Sequence, residues 1–341
     1  MQPNAHLNNQ ATENNNISYV EDISKYCVEA HENSQERKLV TYNIKEFLSL
    51  NIPLRKMILS PIIPEQGLVM IYASRGIGKT YLSLSIAYPV ACGGNLFEER
   101  WKCESPRKVL FIDGEMPASL LQERLRNLAS ESPMNLENDD NLKILTSDLQ
   151  DHGIQDLSTV QGQESVEKFL EDADLIIIDN LSSLCRSGRE NESESWMPLQ
   201  EWLLSLRRRG KSVLLIHHAG KSGNQRGTSK KEDLLDTVIS LKRPEAYDSE
   251  EGARFEIHYE KTRSFYGKEA KPFEVCLQQD NKRFIWQAKD VSGSEYKQTV
   301  RLSEQGFSQR KIAHELGISL STVNRHLKKA KEEIKNGVSA F

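Results

Sequence analysis

Six short apolar runs recur through the middle of the chain: Leu68–Ala73, Val109–Asp113, Leu142–Leu145, Leu175–Asp179, Val213–His217 and Thr237–Leu241. Longer amphipathic stretches separate them. Few polar residues interrupt the runs, which predicts strands covered on both faces, and their alternation with helices predicts a parallel sheet of βαβ units. Phe255–Tyr259, Phe273–Leu277 and Arg283–Trp286 instead alternate polar and apolar residues, as antiparallel edge strands or hairpins do. The expected fold class is α/β: a doubly wound, mostly parallel twisted sheet with helices on both faces and antiparallel strands at its C-terminal edge. This domain is expected to span 67–289.

The flanks read differently. Residues 1–40 are rich in Asn, Gln and Glu and lack apolar periodicity, which predicts a disordered leader. In 41–66, Phe47, Leu48, Leu50, Ile52 and Leu54 lead into the proline-broken stretch Ile58–Pro64; this lead-in segment is expected to pack across the core. The loop Cys185–Trp196 is polar and acid-rich, and residues 290–296 (Asp290-Val-Ser-Gly-Ser-Glu295 at their start) look like a linker. In 297–336 the pattern turns helical again. Ile312, Ala313 and Leu316 form one apolar face, Gly317 permits a tight turn, and Ser319 caps a second helix with Val323 and Leu327 turned inward. This resembles the helix-turn-helix of resolvases and response-regulator output domains. The resemblance implies that Ser321, Thr322, Asn324, Arg325 and Lys328 face the major groove of duplex DNA.

Charge sharpens that expectation. The whole chain carries a net charge of −4, so nucleic-acid affinity must come from local patches. Between Lys297 and Lys335 nine Lys or Arg face four Glu, a surplus of +5. The five cysteines are scattered and form no CxxC pair, which argues against a disulfide framework or a zinc site. No apolar run approaches the ~18–20 residues of a membrane span, so the protein is expected in the cytoplasm with no membrane partner.

The most specific local signal is Ala73-Ser74-Arg75-Gly76-Ile77-Gly78-Lys79-Thr80, directly after the run Leu68–Ala73 and opening the helical stretch from Tyr81. Small residues at such a strand-to-helix turn let backbone N–H groups curl about a phosphate, and the helix N-terminus adds its positive end. This is the Walker A arrangement, with Ala73 where the pattern usually has Gly. Residues Ala73 through Tyr81 are expected to cradle ATP, Lys79 to neutralise its β- and γ-phosphates, and Thr80 to give its hydroxyl to Mg²⁺. Asp179, ending Leu175–Asp179, has the Walker B form and is expected to hold the Mg²⁺ through water.

Residue 180 is Asn, so the hydrolytic base must come from elsewhere. The run Val109–Asp113 continues into Gly114 and Glu115, and Glu115 is the candidate that polarises the attacking water, with Asp113 as the alternative. Here the chain resembles the RecA-like branch of P-loop ATPases, whose members carry the base after the second strand. That resemblance also implies that His218, at the end of the run Val213–His217, contacts the γ-phosphate while His217 faces the other way.

Taken together, ASRGIGKT, FIDGEM, LIIIDN, LLIHHAGK and Arg226-Gly-Thr-Ser, in this order between Asn43 and Leu277, resemble the RepA-type plasmid replicative helicases and their DnaB-like and RecA-like ring relatives. The resemblance implies a homo-hexameric ring that hydrolyses ATP between subunits and moves on single-stranded DNA. Lys221, Arg226, Lys230 and Lys231, interleaved with small polar residues, would then grip a phosphodiester backbone. Ring helicases also carry a Lys-x-Arg after a late strand, which points to Arg263, with Lys261 beside it, as a finger reaching the neighbour's ATP; Arg226 is the alternative. The expected function is an ATP-driven DNA helicase or translocase of a plasmid, phage or integrated element. The rival expectations are an ATP-switched DNA-binding regulator without unwinding, and a recombination or repair ATPase.

Overall fold

The computed structural model describes residues 39–131, 138–187, 193–220, 232–244, 247–280 and 283–335. Its strands are β1 (Met57–Leu59), β2 (Ile63–Pro64), β3 (Leu68–Ala73), β4 (Asn95–Leu96), β5 (Trp101–Lys102), β6 (Val109–Asp113) and β7 (Leu142–Thr146). They continue as β8 (Leu175–Asp179), β9 (Ser212–His218), β10 (Thr237–Lys242), β11 (Arg254–Thr262), β12 (Phe273–Asp280) and β13 (Arg283–Asp290). The helices are α1 (Ile44–Ser49), α2 (Lys79–Cys92), α3 (Ala118–Glu131), α4 (Val160–Leu170), α5 (Leu181–Leu184) and α6 (Ser193–Arg208), then α7 (Ser292–Glu304), α8 (Gln309–Leu316) and α9 (Leu320–Lys335).

Nine strands form one sheet in the order β13-β12-β11-β10-β3-β9-β8-β6-β7. The six from β7 to β10 are mutually parallel, and β11, β12 and β13 follow antiparallel. Counting sheet strands along the chain, β3 lies between the fifth and sixth, so its parallel neighbours are reached by crossover connections. This is the RecA-like P-loop core. Alternation along β3 shows why its run is apolar throughout: Val69, Ile71 and Ala73 join one buried cluster, while Leu68, Met70 and Tyr72 join the cluster on the other face. Helix α2 is buried on nearly every side, with Leu82, Leu84, Ile86, Ala87 and Val90 fully covered. The antiparallel extension locks onto it: Trp286 Nε1 donates to Ser85 Oγ at 2.9 Å, inside an aromatic group of Phe97, Trp101, Phe255 and Phe273.

The lead-in segment divides in two. Ile58, Leu59, Ile62 and Ile63 are buried in the β1–β2 hairpin, as expected. The stretch before it does not pack across the core. Phe47, Leu48, Leu50, Ile52 and Leu54 are exposed, and α1 buries no residue at all. Its fold is local: Asn43 and Glu46 close a reciprocal capping box around a six-residue helix. Arg55 anchors the end of the stretch through Asp236 at 3.3 Å. The expected leader falls outside the described residues except for 39 and 40.

The expected linker is also corrected. Strand β13 runs to Asp290 and α7 begins at Ser292, so strand end and first helical turn fill the space that small polar residues suggested would be loose. Likewise α6 starts at Ser193 and buries Trp196, so the acid-rich loop ends sooner than its composition implies; 188–192 lie outside the described residues.

Candidate functional site

The phosphate loop follows from two glycines. Gly76 has φ 71 and Gly78 has φ 110, left-handed values that let the chain double back between β3 and α2. Gly78 is also the N-cap of α2, with no side chain occupying the first-turn N–H groups. A Cβ there would lie 3.1 Å from the Ala253 methyl. Lys79 is buried, and its Nζ donates to the carbonyls of Ala73 at 3.1 Å and Ser74 at 2.9 Å. Burial lowers its pKa to about 8, while the carboxylates of Asp179 and Glu115 pull the other way. Sequence reading missed one loop partner. Arg243, just past β10, donates to the Gly76 carbonyl at 3.1 Å and stacks 3.8 Å above the Tyr247 ring.

Asp179 stands at the carboxyl end of β8, where α/β sheets place their ligands. It is buried and accepts from Ser83 Oγ at 2.7 Å, and the Thr80 hydroxyl also bonds to it. Burial raises its pKa to about 6, opposed by those two hydroxyls. Ser83 was not foreseen; its one signal is a position one helical turn beyond Thr80. This donor set fits magnesium. Hydroxyl and carboxylate oxygens are the ligands a hard dication prefers, and a buried carboxylate steadied by hydroxyls is one whose charge such a cation would relieve.

Glu115 follows β6, the strand next to β8, and two other strand ends reach its carboxylate. Asn180 Nδ2 donates to Glu115 Oε2, and His218 Nε2 lies 3.8 Å from the same oxygen. His218 pairs in register with Ala73, so β9 delivers it beside the phosphate loop. His217 and His218 are both buried. Asp113, the alternative base, ends β6 two residues before Glu115. It is buried, and its Oδ2 accepts from Met116 N at 3.1 Å and Thr146 Oγ1 at 3.1 Å, closing the turn that presents Glu115. Burial raises its pKa against these bonds.

Lys261 and Arg263 are not brought to this site within one chain. Because β11 runs antiparallel, Lys261 pairs with Val238 at the start of β10, the sheet edge opposite the phosphate loop. There Lys261 donates to the carbonyls of Glu232 and Asp233, and Arg263 to that of Asp233. Lys221, Arg226, Lys230 and Lys231 lie outside the described residues.

The C-terminal helices form a small bundle around Val300, Ile312, Val323 and Ala330, all buried. Ser308 caps α8, and Gly317 ends it in the left-handed conformation with φ 62. Ser319 Oγ accepts from Thr322 N at 3.1 Å, as its cap role requires. On α9, Ser321, Asn324, Arg325 and Lys328 are exposed. Thr322 is half-buried, and its hydroxyl lies 2.9 Å from Ser319 Oγ, so it serves the turn as well as the outer face.

Phosphate loop, strand-end carboxylate and RecA-like strand order define a P-loop ATPase with a helix-turn-helix attached. A family model described as AAA domain matches residues 34–224, more than half of the chain, which therefore belongs to that family. A second model, described as winged helix-turn-helix DNA-binding, matches residues 303–333. Among the described residues no strand follows α9. No curated protein matches the chain. Together these findings describe an ATP-dependent DNA-binding protein. Among the described residues no helix is long and apolar enough to cross a membrane.

Proposed function

We propose that the chain is a ring-forming motor that hydrolyses ATP to move along, and unwind, DNA. The observation that carries this reading is the convergence of three strand ends. Glu115 after β6, Asn180 after β8 and His218 at the end of β9 meet beside the loop that holds Lys79. Magnesium bound with the nucleotide supplies charge neutralisation at the β- and γ-phosphates. Thr80 and Asp179 would hold it, and Lys79 would exchange its two carbonyl partners for phosphate oxygens. Glu115 takes a proton from the attacking water. His218 Nε2 lies 3.8 Å from this base, and the basic stretch Lys221–Lys231, which would meet single-stranded DNA, follows it in the sequence.

Two observations favour assembly of several copies, for which a homo-hexamer is the reading. Residues 39–54 expose Leu39, Ile44, Leu48 and Leu54 to the extent of 95%, 74%, 74% and 93%, apolar side chains that a neighbouring copy would cover. Lys261 and Arg263 stand too far from their own phosphate loop to serve it, as a finger supplied to a neighbour must. The helix-turn-helix would recruit the ring to duplex DNA, with Arg325 and Lys328 on its outer face.

A strand-displacement assay on a forked duplex tests the proposal. DNA-stimulated hydrolysis with strand separation is the expected result. Hydrolysis with no DNA stimulation and no separation refutes the motor and leaves an ATP-switched DNA-binding regulator.

A further inference from the structure

The residue after the metal-site aspartate is not idle. Asn180 divides its amide between two tasks. Its Oδ1 accepts from the N–H groups of Ser182 at 3.0 Å and Ser183 at 3.3 Å, capping α5. An amide is planar, so fixing the oxygen toward the helix turns Nδ2 to the opposite side, where it donates to Glu115 Oε2. The backbone repeats the link. Gly114 N donates to the Asp179 carbonyl at 2.9 Å, and a Cβ on Gly114 would lie 2.6 Å from both Ser183 Oγ and Leu184 Cγ. The turn bearing the base is therefore pressed against the short helix that Asn180 caps, and only glycine permits that approach.

We propose that Asn180 is the positioning residue for Glu115, holding one carboxylate oxygen so that the other faces the attacking water. This deepens the motor proposal and rests on Glu115 being the base. Asp179 and Asn180 are adjacent, so one strand end would fix both the metal-binding oxygen and the direction of the base. His218 Nε2 approaches the same Oε2 from β9, at 3.8 Å.

The test is steady-state hydrolysis by the full chain with Mg²⁺ and ATP, alongside melting temperature and binding of a fluorescent ATP analogue. Asn180→Ser retains a helix-capping hydroxyl but cannot reach Glu115. It is expected to lower kcat by roughly 10- to 100-fold, part of the ~10²–10⁴-fold that a positioned base contributes, with analogue affinity and melting temperature close to wild type. Asn180→Asp also keeps the cap, places a carboxylate against Glu115, and is expected to lose at least as much. Glu115→Gln should be nearly inactive, and adding Asn180→Ser to it should cost nothing more, a non-additivity that a purely structural role would not produce. Normal turnover in Asn180→Ser beside an inactive Glu115→Gln overturns the positioning role and leaves the base intact. Normal turnover in Glu115→Gln overturns the base assignment, and this proposal falls with it.

Discussion

Replacing Lys79 with Met keeps the length and volume of the side chain and removes its charge. The structure sets opposite expectations for stability and function. Burial brings the Lys79 pKa from 10.5 to about 8, so the protonated form pays for desolvation in the folded state. At ~1.4 kcal/mol per pH unit, that drop corresponds to about 3 kcal/mol. The two carbonyl hydrogen bonds lost on substitution offset it by about 1 kcal/mol each. Nucleotide-free Lys79→Met should therefore be as stable as wild type near neutral pH, or more stable by about 1–2 kcal/mol, a rise of a few degrees in Tm. The sign with pH follows from linkage. Between about 8 and 10.5 the unfolded chain binds more protons at this site than the folded one, so wild-type stability rises through that window and the gap to Lys79→Met closes. Function goes the other way: the variant should show no ATP-induced shift in Tm and no turnover. Urea denaturation across neutral and alkaline pH reads the stability difference, thermal melts with and without Mg²⁺·ATP read the nucleotide-induced shift, and phosphate release reads turnover. A variant clearly less stable than wild type at neutral pH would remove the burial cost assigned to Lys79, and one that still hydrolyses ATP would remove Lys79 from the phosphate site.

Three further outcomes are expected. Gly78→Ala forces an L-residue into φ 110 and brings a methyl to 3.1 Å from Ala253; thermal melts should show a loss of about 2–3 kcal/mol, accompanied by weaker nucleotide binding. Although burial pushes the Asp156 carboxyl up, bonds from Ser158, Ser187 and Arg186 bring it down to about 2, so its contribution is present above about pH 4 and fades toward pH 2. Asp156→Asn should lower stability in urea titrations at neutral pH by less than about 1 kcal/mol, because solvent screens this partly exposed group, with the difference vanishing in acid. Arg325→Ala should weaken duplex binding by about 1–3 kcal/mol in fluorescence anisotropy, and an unchanged affinity would remove α9 from the DNA interface.

Much of this was legible in the sequence because burial on both faces leaves a plain mark. The strand from Leu68 to Ala73 must be apolar at every position, and its glycines must follow at the turn. What escaped reading depends on which strands become neighbours. Arg243 meets Gly76 because β10 pairs with β3, far away in the chain. Asn180 looked like an absence of the base, and only the cap on α5 shows where its amino group must point. The apolar residues from Phe47 to Leu54 resembled a core segment by composition, yet nothing in their spacing told whether their cover lies in the same chain. The linker misled for the opposite reason: Ser292, Gly293 and Ser294 are poor helix formers, and they open a helix all the same.

In the proposed motor, the site around Lys79, Asp179 and Glu115 turns over ATP in response to DNA. Phosphate release by the full chain, measured with Mg²⁺·ATP across a titration of single-stranded DNA, tests it most directly. Metal-dependent release that climbs with DNA and disappears in Glu115→Gln is the predicted result. Release that is absent, or that persists unchanged in Glu115→Gln, would contradict it.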